Sequence, residues 1–364
     1  MLSADVHMIP EHLWADDLTG AAEIAHLLAR RTGRPVRLAL HFGVPLDDGP
    51  HVRDLDLRHL QPDEAQAILA RELTGVATDE RVFLKIDSQL HGPVSAYLAA
   101  FVGRDRAVVL SAVNPALGRV TLDGVHHVPT EAGAERTDLA VLLAGVRHRL
   151  LPIGGAAALA AAGAAVHVVD AATTADLAAI AQRTGALDVA GSAAMLDALL
   201  GAHPGTETGH ATAPAAENVL AVVGSTEPMA RRQVAEAAAR GARVRTVDDA
   251  TVSDAADVSR RGPLVLTRTR DDASSLNVLA DRAAAVLSDL DPSRTAVVLS
   301  GGHTARLVLD RLGVTVLTAT PAAPSVVAPL TTPSGLTVLT KPGSYGTPDT
   351  LSTLLHEPEQ QPTR

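Results

Sequence analysis

The feature that most constrains this chain is the repeated alternation of strand-length apolar runs with amphipathic helical stretches in both halves of the sequence. Short apolar runs buried on both faces and separated by helices build α/β layers around a mainly parallel sheet. In the first half the spacing predicts a helix over Gly20–Arg31, with Ala21, Ile24, Leu27 and Leu28 on one face and Gly33 as its stop. Strands are expected at Val36–Leu40, Val82–Ile86, Ala107–Ser111 and Ala165–Val169, and a small helix over Ala156–Ala162. In the second half, strands are expected at Val219–Gly224, Arg243–Val247, Pro263–Thr267, Ala296–Ser300, Val314–Leu317 and Leu336–Thr340. A helix over Glu227–Arg240 carries Pro228 in its first turn, where proline is tolerated.

At 364 residues the chain has room for roughly two domains of about 150 residues each. The stretch HPGTETGHATAPAAE (His203–Glu217) has turn formers and no apolar period. The expected division is therefore residues 1–205, a linker over 206–217, and residues 218–364. Fold class follows as α/β, two domains with mainly parallel sheets facing a central cleft, with ligands at the carboxyl ends of strands.

Composition removes several function classes. Cysteine is absent, so no disulfide framework, thiolate metal site or cysteine nucleophile exists. Acids outnumber bases by 41 to 31 and aromatic residues are only 2%, which disfavours nucleic-acid binding through phosphate neutralisation or base stacking. Two long uncharged stretches fail as membrane spans: Leu150–Val169 is mostly Ala and Gly, and Leu312–Thr340 is broken by Pro321, Pro324, Pro329 and Pro333. Met1–Asp17 carries acids and a proline without an apolar core, so no secretory leader is expected there. The reading is a soluble, cytoplasmic protein without a membrane partner, and homodimerisation stays open.

Of the 31 basic residues only Lys85 and Lys341 are lysines. In a chain rich in alanine and arginine, codon bias turns dispensable lysines into arginine, so a retained lysine points to a task that arginine cannot perform.

Four segments have the residues for chemistry. Asp16-Asp17-Leu18-Thr19-Gly20 puts paired carboxylates at a helix start, where they could accept a proton, bind a cation or hold sugar hydroxyls. Capping by Asp17 is the plain structural alternative. Lys85-Ile86-Asp87-Ser88 closes a strand, and alternation would set Lys85 and Asp87 on one side, facing an anionic polyol. Ser300-Gly301-Gly302-His303-Thr304 and Lys341-Pro342-Gly343-Ser344-Tyr345-Gly346 are glycine-rich turns that follow strands, where backbone amides can approach phosphates. No Walker loop, G-x-G-x-x-G, G-x-S-x-G or H-E-x-x-H occurs, and the fifteen histidines show no zinc spacing, which leaves metal ligands unassigned.

Taken in order, these segments resemble the four-carbon acid sugar kinase family. ADDLTGA (Ala15–Ala21), DLRHLQPDEA (Asp56–Ala65), KIDSQLHGPV (Lys85–Val94) and NPALGRVTLDGVHHV (Asn114–Val128) carry the likeness in the first half. VVGSTEPMARRQ (Val222–Gln233), SGGHTARLVLDRLG (Ser300–Gly313) and TKPGSYG (Thr340–Gly346) carry it in the second. The resemblance implies an N-terminal domain binding a sugar acid and a C-terminal domain binding ATP, assisted by Mg²⁺. It places Asp16 and Asp17 in catalysis, with Arg58, Lys85, Asp87 and His91 at the sugar acid. Ser225, Gly301, Gly302, His303, Thr304, Lys341, Gly343 and Gly346 would surround ATP. Departures from the family pattern are His91 in place of arginine, Gln89 in place of threonine, and His303 in place of an acid. The implied activity is transfer of the γ-phosphoryl group to the terminal hydroxyl of a short sugar acid. The alternative is a non-catalytic or regulatory binding protein derived from such kinases.

Overall fold

The computed structural model describes residues 9–41, 43–44, 49–130, 133–161, 163–201, 216–247, 262–321, 327–343 and 345–356. Most of the expected linker, residues 206–215, lies outside them.

In chain order the first elements are β1 (His12–Ala15), α1 (Leu18–Thr32), β2 (Val36–Ala39), β3 (His51–Asp54), α2 (Pro62–Leu73), β4 (Val82–Lys85), α3 (Val94–Gly103) and β5 (Val108–Ser111). Then come β6 (Val120–Leu122), β7 (Val125–Thr130), β8 (Gly133–Asp138), α4 (Leu139–Leu142), β9 (His148–Leu151), β10 (Val166–Val169), α5 (Thr174–Thr184), β11 (Asp188–Gly191) and α6 (Ala193–Leu200). The remainder is β12 (Asn218–Val223), α7 (Pro228–Ala239), β13 (Arg243–Thr246), β14 (Leu264–Thr267), α8 (Ala273–Ser288), β15 (Thr295–Ser300), α9 (Gly302–Arg311), β16 (Val316–Ala319), β17 (Ala328–Thr331), β18 (Thr337–Lys341) and α10 (Thr350–His356).

The chain forms two compact units, each discontinuous in sequence. One comprises Met1–Gly20 and Leu55–Pro204, the other Ala21–Asp54 and Gly205–Arg364. A single cut near residues 206–217 does not describe this arrangement, because residues 21–54 group with the C-terminal unit. The reason lies in strand pairing: β16 takes β2 as an antiparallel neighbour, with Val316 opposite Ala39 and Ala319 opposite Val36. Pairing across almost 280 positions leaves no trace in local periodicity.

In the first unit the strand order is β1-β4-β11-β5-β10-β9, every pair parallel. All carboxyl ends therefore lie along one edge. Strands β4, β5, β10 and β11 are buried at every position, as a parallel sheet covered on both faces requires. Leu69 and Leu73 of α2 pack with Tyr97, Leu98 and Phe101 of α3 in the core that covers β4 and β5. A separate antiparallel sheet, β6-β7-β8, is built from residues 120–138, a stretch without an assigned strand in the sequence reading.

In the second unit, β13-β14-β12-β15-β18 run parallel. Three antiparallel pairings then continue through β17 and β16 to β2, with β3 parallel beside β2. Two strands were expected between Val314 and Thr340; the third, β17, has Pro329 within it, a residue that weakens any strand signal. The strands β12, β15 and β18 lie side by side, so the turns that leave them are neighbours.

Candidate functional site

Two clusters of the expected residues form, one at the carboxyl edge of each unit's parallel strands. In the first unit β1 delivers Asp16 and Asp17 beside β4, whose last residue, Lys85, pairs with Ala15. The Asp16 amide donates to the Lys85 carbonyl at 3.0 Å, and the amides of Leu57 and Arg58 donate back to the Asp16 carbonyl at 2.8 and 3.0 Å. Arg58 is thereby carried to the end of β1 although 42 residues separate it from Asp16.

Its guanidinium forms a fork with Asp16, Nε to Oδ2 at 3.0 Å and Nη2 to Oδ1 at 2.7 Å, and Nη2 also lies 2.8 Å from Asp17 Oδ1. Asp16 is fully buried. Burial pushes its carboxyl up, the Arg58 charge and hydrogen bonds oppose this, and the Asp17 charge adds to the upward shift. Burial works against the Arg58 cation, but Asp16 and Asp17 more than offset it and hold Arg58 well above its ordinary value.

Asp17 is held differently. Oδ1 accepts from the Gly20 amide at 2.9 Å, and Oδ2 accepts the Thr19 hydroxyl at 2.6 Å. The capping role is therefore real, since Asp17 directly precedes α1. Among the described residues Oδ2 has the Thr19 hydroxyl as its hydrogen-bond donor, and 9% of the Asp17 side chain reaches solvent against none of Asp16. A Cβ built on Gly20 would stand 3.0 Å from Asp17 Oδ1 and 3.2 Å from Lys85 Nζ, so the glycine makes room for both charges. Lys85 is buried at 5% exposure, so its ammonium lies inside the acid cluster.

Strand β4 ends at Lys85, so Asp87 lies in the following turn, beyond the strand alternation. His91 Nδ1 is 2.6 Å from Asp87 Oδ2. Burial alone would raise the Asp87 carboxyl, but the His91 hydrogen bond and the charges of Arg58, His91 and Lys85 hold it far below the usual carboxylate range. The hydrogen bond to Asp87 raises His91 in turn, against its partial burial. Thus the histidine that replaces arginine is engaged by a carboxylate of the same loop.

Three residues of this cluster escaped the sequence reading. Arg119, at the start of the small sheet, donates to the Ser88 hydroxyl. His126 in β7 is fully buried between the Ser88 carbonyl (2.9 Å) and the Thr121 hydroxyl (3.0 Å), and burial lowers it. Tyr97 packs beside Arg58, and among the described residues its buried hydroxyl has no hydrogen-bond partner. Arginine, histidine and tyrosine scattered over 30 positions carry no motif signal, apart from the Gly118-Arg119 pair within Asn114–Val128.

In the second unit the turns after β12, β15 and β18 meet. A Cβ on Gly343 would lie 2.7 Å from both Cβ and Oγ of Ser225, and one on Gly224 would overlap Thr304. Glycine at both positions lets three turns close on one another. Gly301 has φ 105°, a conformation L side chains rarely adopt, so the strained position of the pair is Gly301 and not Gly302. Helix α9 begins at Gly302, and its N-cap, Gly301, makes no side-chain capping hydrogen bond. His303 is exposed on that first turn, and among the described residues the buried Ser300 hydroxyl before it has no hydrogen-bond partner.

Two expected nucleotide residues take other roles. Lys341 is fully buried, and its Nζ donates to the carbonyls of Pro342 (2.7 Å), Gly343 (3.2 Å) and Tyr345 (3.0 Å). These three contacts all lie within its own loop. Gly346, at φ 97°, packs against Thr350 at the start of α10.

With this geometry described, comparison with known proteins decides the family. Residues 12–142 match the sugar-binding N-terminal domain and residues 220–351 the nucleotide-binding C-terminal domain of one family. The chain belongs to the four-carbon acid sugar kinase family. A D-threonate kinase of Cupriavidus necator is 32% identical, the alignment covering 91% of this chain and 94% of that protein. Among solved structures, a Salmonella typhimurium LT2 protein described as a tRNA synthase is similar at TM-score 0.70 and 20% identity, covering 96% of this chain and 99% of that one. A Haemophilus influenzae protein is similar at TM-score 0.65 and 17% identity, covering 93% and 97%. These two likenesses concern the fold. Membership of this family makes the protein a sugar acid kinase. No helix among the described residues is long and apolar enough to cross a membrane.

Proposed function

We propose that this protein is an ATP-dependent kinase that phosphorylates the terminal hydroxyl of a short, four-carbon-like sugar acid. The observation that carries the reading is the unequal treatment of two adjacent carboxylates. Asp16 is spent on Arg58 through both oxygens, whereas Asp17 keeps capacity on Oδ2 beside a buried ammonium. That arrangement suits Asp17 to accept the hydroxyl proton, with Arg58 fixed by Asp16 as its electrostatic neighbour. Lys85 supplies a compact positive charge for the substrate carboxylate, and Asp87, kept ionised, accepts from sugar hydroxyls. His91 takes the place of a permanently charged arginine, so the grip on an acid substrate at that corner is pH-sensitive.

The nucleotide reading is supported by the uncapped start of α9, the positive φ at Gly301, the unpartnered Ser300 hydroxyl and the contact of Gly343 with Ser225. Backbone amides at Gly302, His303 and Thr304 would take phosphate oxygens, and Ser225 and Gly343 would border the nucleotide. Mg²⁺ bound with ATP would neutralise developing charge on the transferred phosphoryl group.

The test is purified protein with ATP, Mg²⁺ and a panel of four- to six-carbon sugar acids, D-threonate first because a relative bears that name. ADP release and a new phosphate monoester by ³¹P NMR are expected for at least one acid. Binding of acids and ATP without phosphoryl transfer across the panel would sink the catalytic reading.

A further inference from the structure

Lys341 has an environment more typical of an inorganic ion than of a side chain. Its ammonium is fully buried, and among the described residues its partners are three backbone carbonyls and no carboxylate. The carbonyls belong to one short loop, Pro342 to Tyr345, and converge on a single point at 2.7–3.2 Å. Two of them are further tied down. The Tyr345 carbonyl also accepts from Gln233 Nε2 at 2.9 Å, and the Pro342 carbonyl also accepts from the Tyr345 amide at 3.2 Å. Gln233 is itself buried on α7 and reaches the Thr347 carbonyl with the same nitrogen.

Carbonyl oxygens pointed at one another repel, and a loop that aims three of them inward needs a cation at the centre. Rings of backbone carbonyls are how proteins replace the hydration shell of potassium. We infer that Lys341 acts as a tethered monovalent cation that holds the loop around Gly343 in the shape that meets Ser225. It is a positioning residue. The inference explains why this lysine survives in a chain of 29 arginines: a planar guanidinium spreads its donors along a fork and cannot converge them on one point. Burial pulls Lys341 down to about 8, while the three carbonyls favour its charged form. The link to ATP rests on the nucleotide reading above; the cage itself does not.

The experiment replaces the tethered cation by a free one. Lys341→Met ends near the lysine Cε and vacates the Nζ position, and Lys341→Gln offers a shorter polar alternative if the first fails to fold. Both are compared with the wild type in potassium, ammonium, sodium and choline chloride at equal ionic strength. Readouts are the thermal midpoint without nucleotide and the affinity for Mg²⁺ and a non-hydrolysable ATP analogue. The wild type should be indifferent to the salt. In choline chloride the variants should bind the analogue at least about tenfold more weakly, and potassium or ammonium should restore most of that loss and raise the midpoint. Folding only in potassium or ammonium counts as the same result. If neither variant gains from these ions beyond the wild type, the inference is overturned. If the wild type fails to bind the analogue, the nucleotide reading falls instead, and the midpoints still test the cage.

Discussion

The two adjacent aspartates should separate into a proton acceptor and an anchor when each is replaced by asparagine. Asp17→Asn keeps the helix cap, because asparagine caps as well as aspartate and can still accept from the Gly20 amide. It loses the charge on its 2.8 Å contact with Arg58 and relieves the repulsion that raises Asp16. The net cost is about 1–2 kcal/mol, one hydrogen bond to a charged group. Asp16→Asn breaks a fully buried fork with two contacts at 2.7 and 3.0 Å, for which about 3–5 kcal/mol is expected. Activity should follow the other order in its cause. Removing the proton acceptor at Asp17 lowers kcat by about 10²- to 10⁴-fold, or roughly 2.7–5.4 kcal/mol of barrier. Urea unfolding and steady-state kinetics on the same preparations give both numbers. Near-normal turnover in Asp17→Asn, or a greater loss of stability there than in Asp16→Asn, would refute the assignment.

Gly301→Val should raise the KM for ATP far more than that for the sugar acid, since a β-branched residue resists φ 105° at the phosphate-facing turn; equal losses would make the glycine a packing element. Lys85→Arg should lower kcat/KM by about tenfold and, because the site is buried beside Gly20, also destabilise the fold by about 1–3 kcal/mol; unchanged kinetics would remove Lys85 from the site. The His91–Asp87 pair has a pH window with a definite sign. His91 is raised, so its share of stability is present below about pH 6.5 and fades as pH rises through its folded value; Asp87 is lowered, so its share holds above about pH 3.9 and is lost only in strong acid. The stability difference between wild type and His91→Gln should therefore shrink from pH 6 to pH 9, and a pH-independent difference in denaturant titrations would contradict it.

The sequence by itself determined the α/β class, the five parallel strands of the second unit, three of the six in the first (β4, β5 and β10), and the four segments that form the two clusters. These are local matters: runs such as Val82–Lys85 and Thr295–Ser300 are apolar because both faces are covered, and glycine-rich turns mark where a backbone must bend sharply. It also singled out the two lysines, through composition alone. Tertiary structure decided what these residues do. The division of labour between Asp16 and Asp17 depends on Arg58 arriving from 42 residues away, and neighbouring carboxylates look alike until one of them is paired. Lys341 reads in sequence as one of the residues around a nucleotide, yet burial with three carbonyls turns it inward. Residues 21–54 join the second unit through pairing of β2 with β16, and Tyr97, Arg119 and His126 reach the acid site from separate elements. Periodicity records which face of a segment is buried, but not what it is buried against.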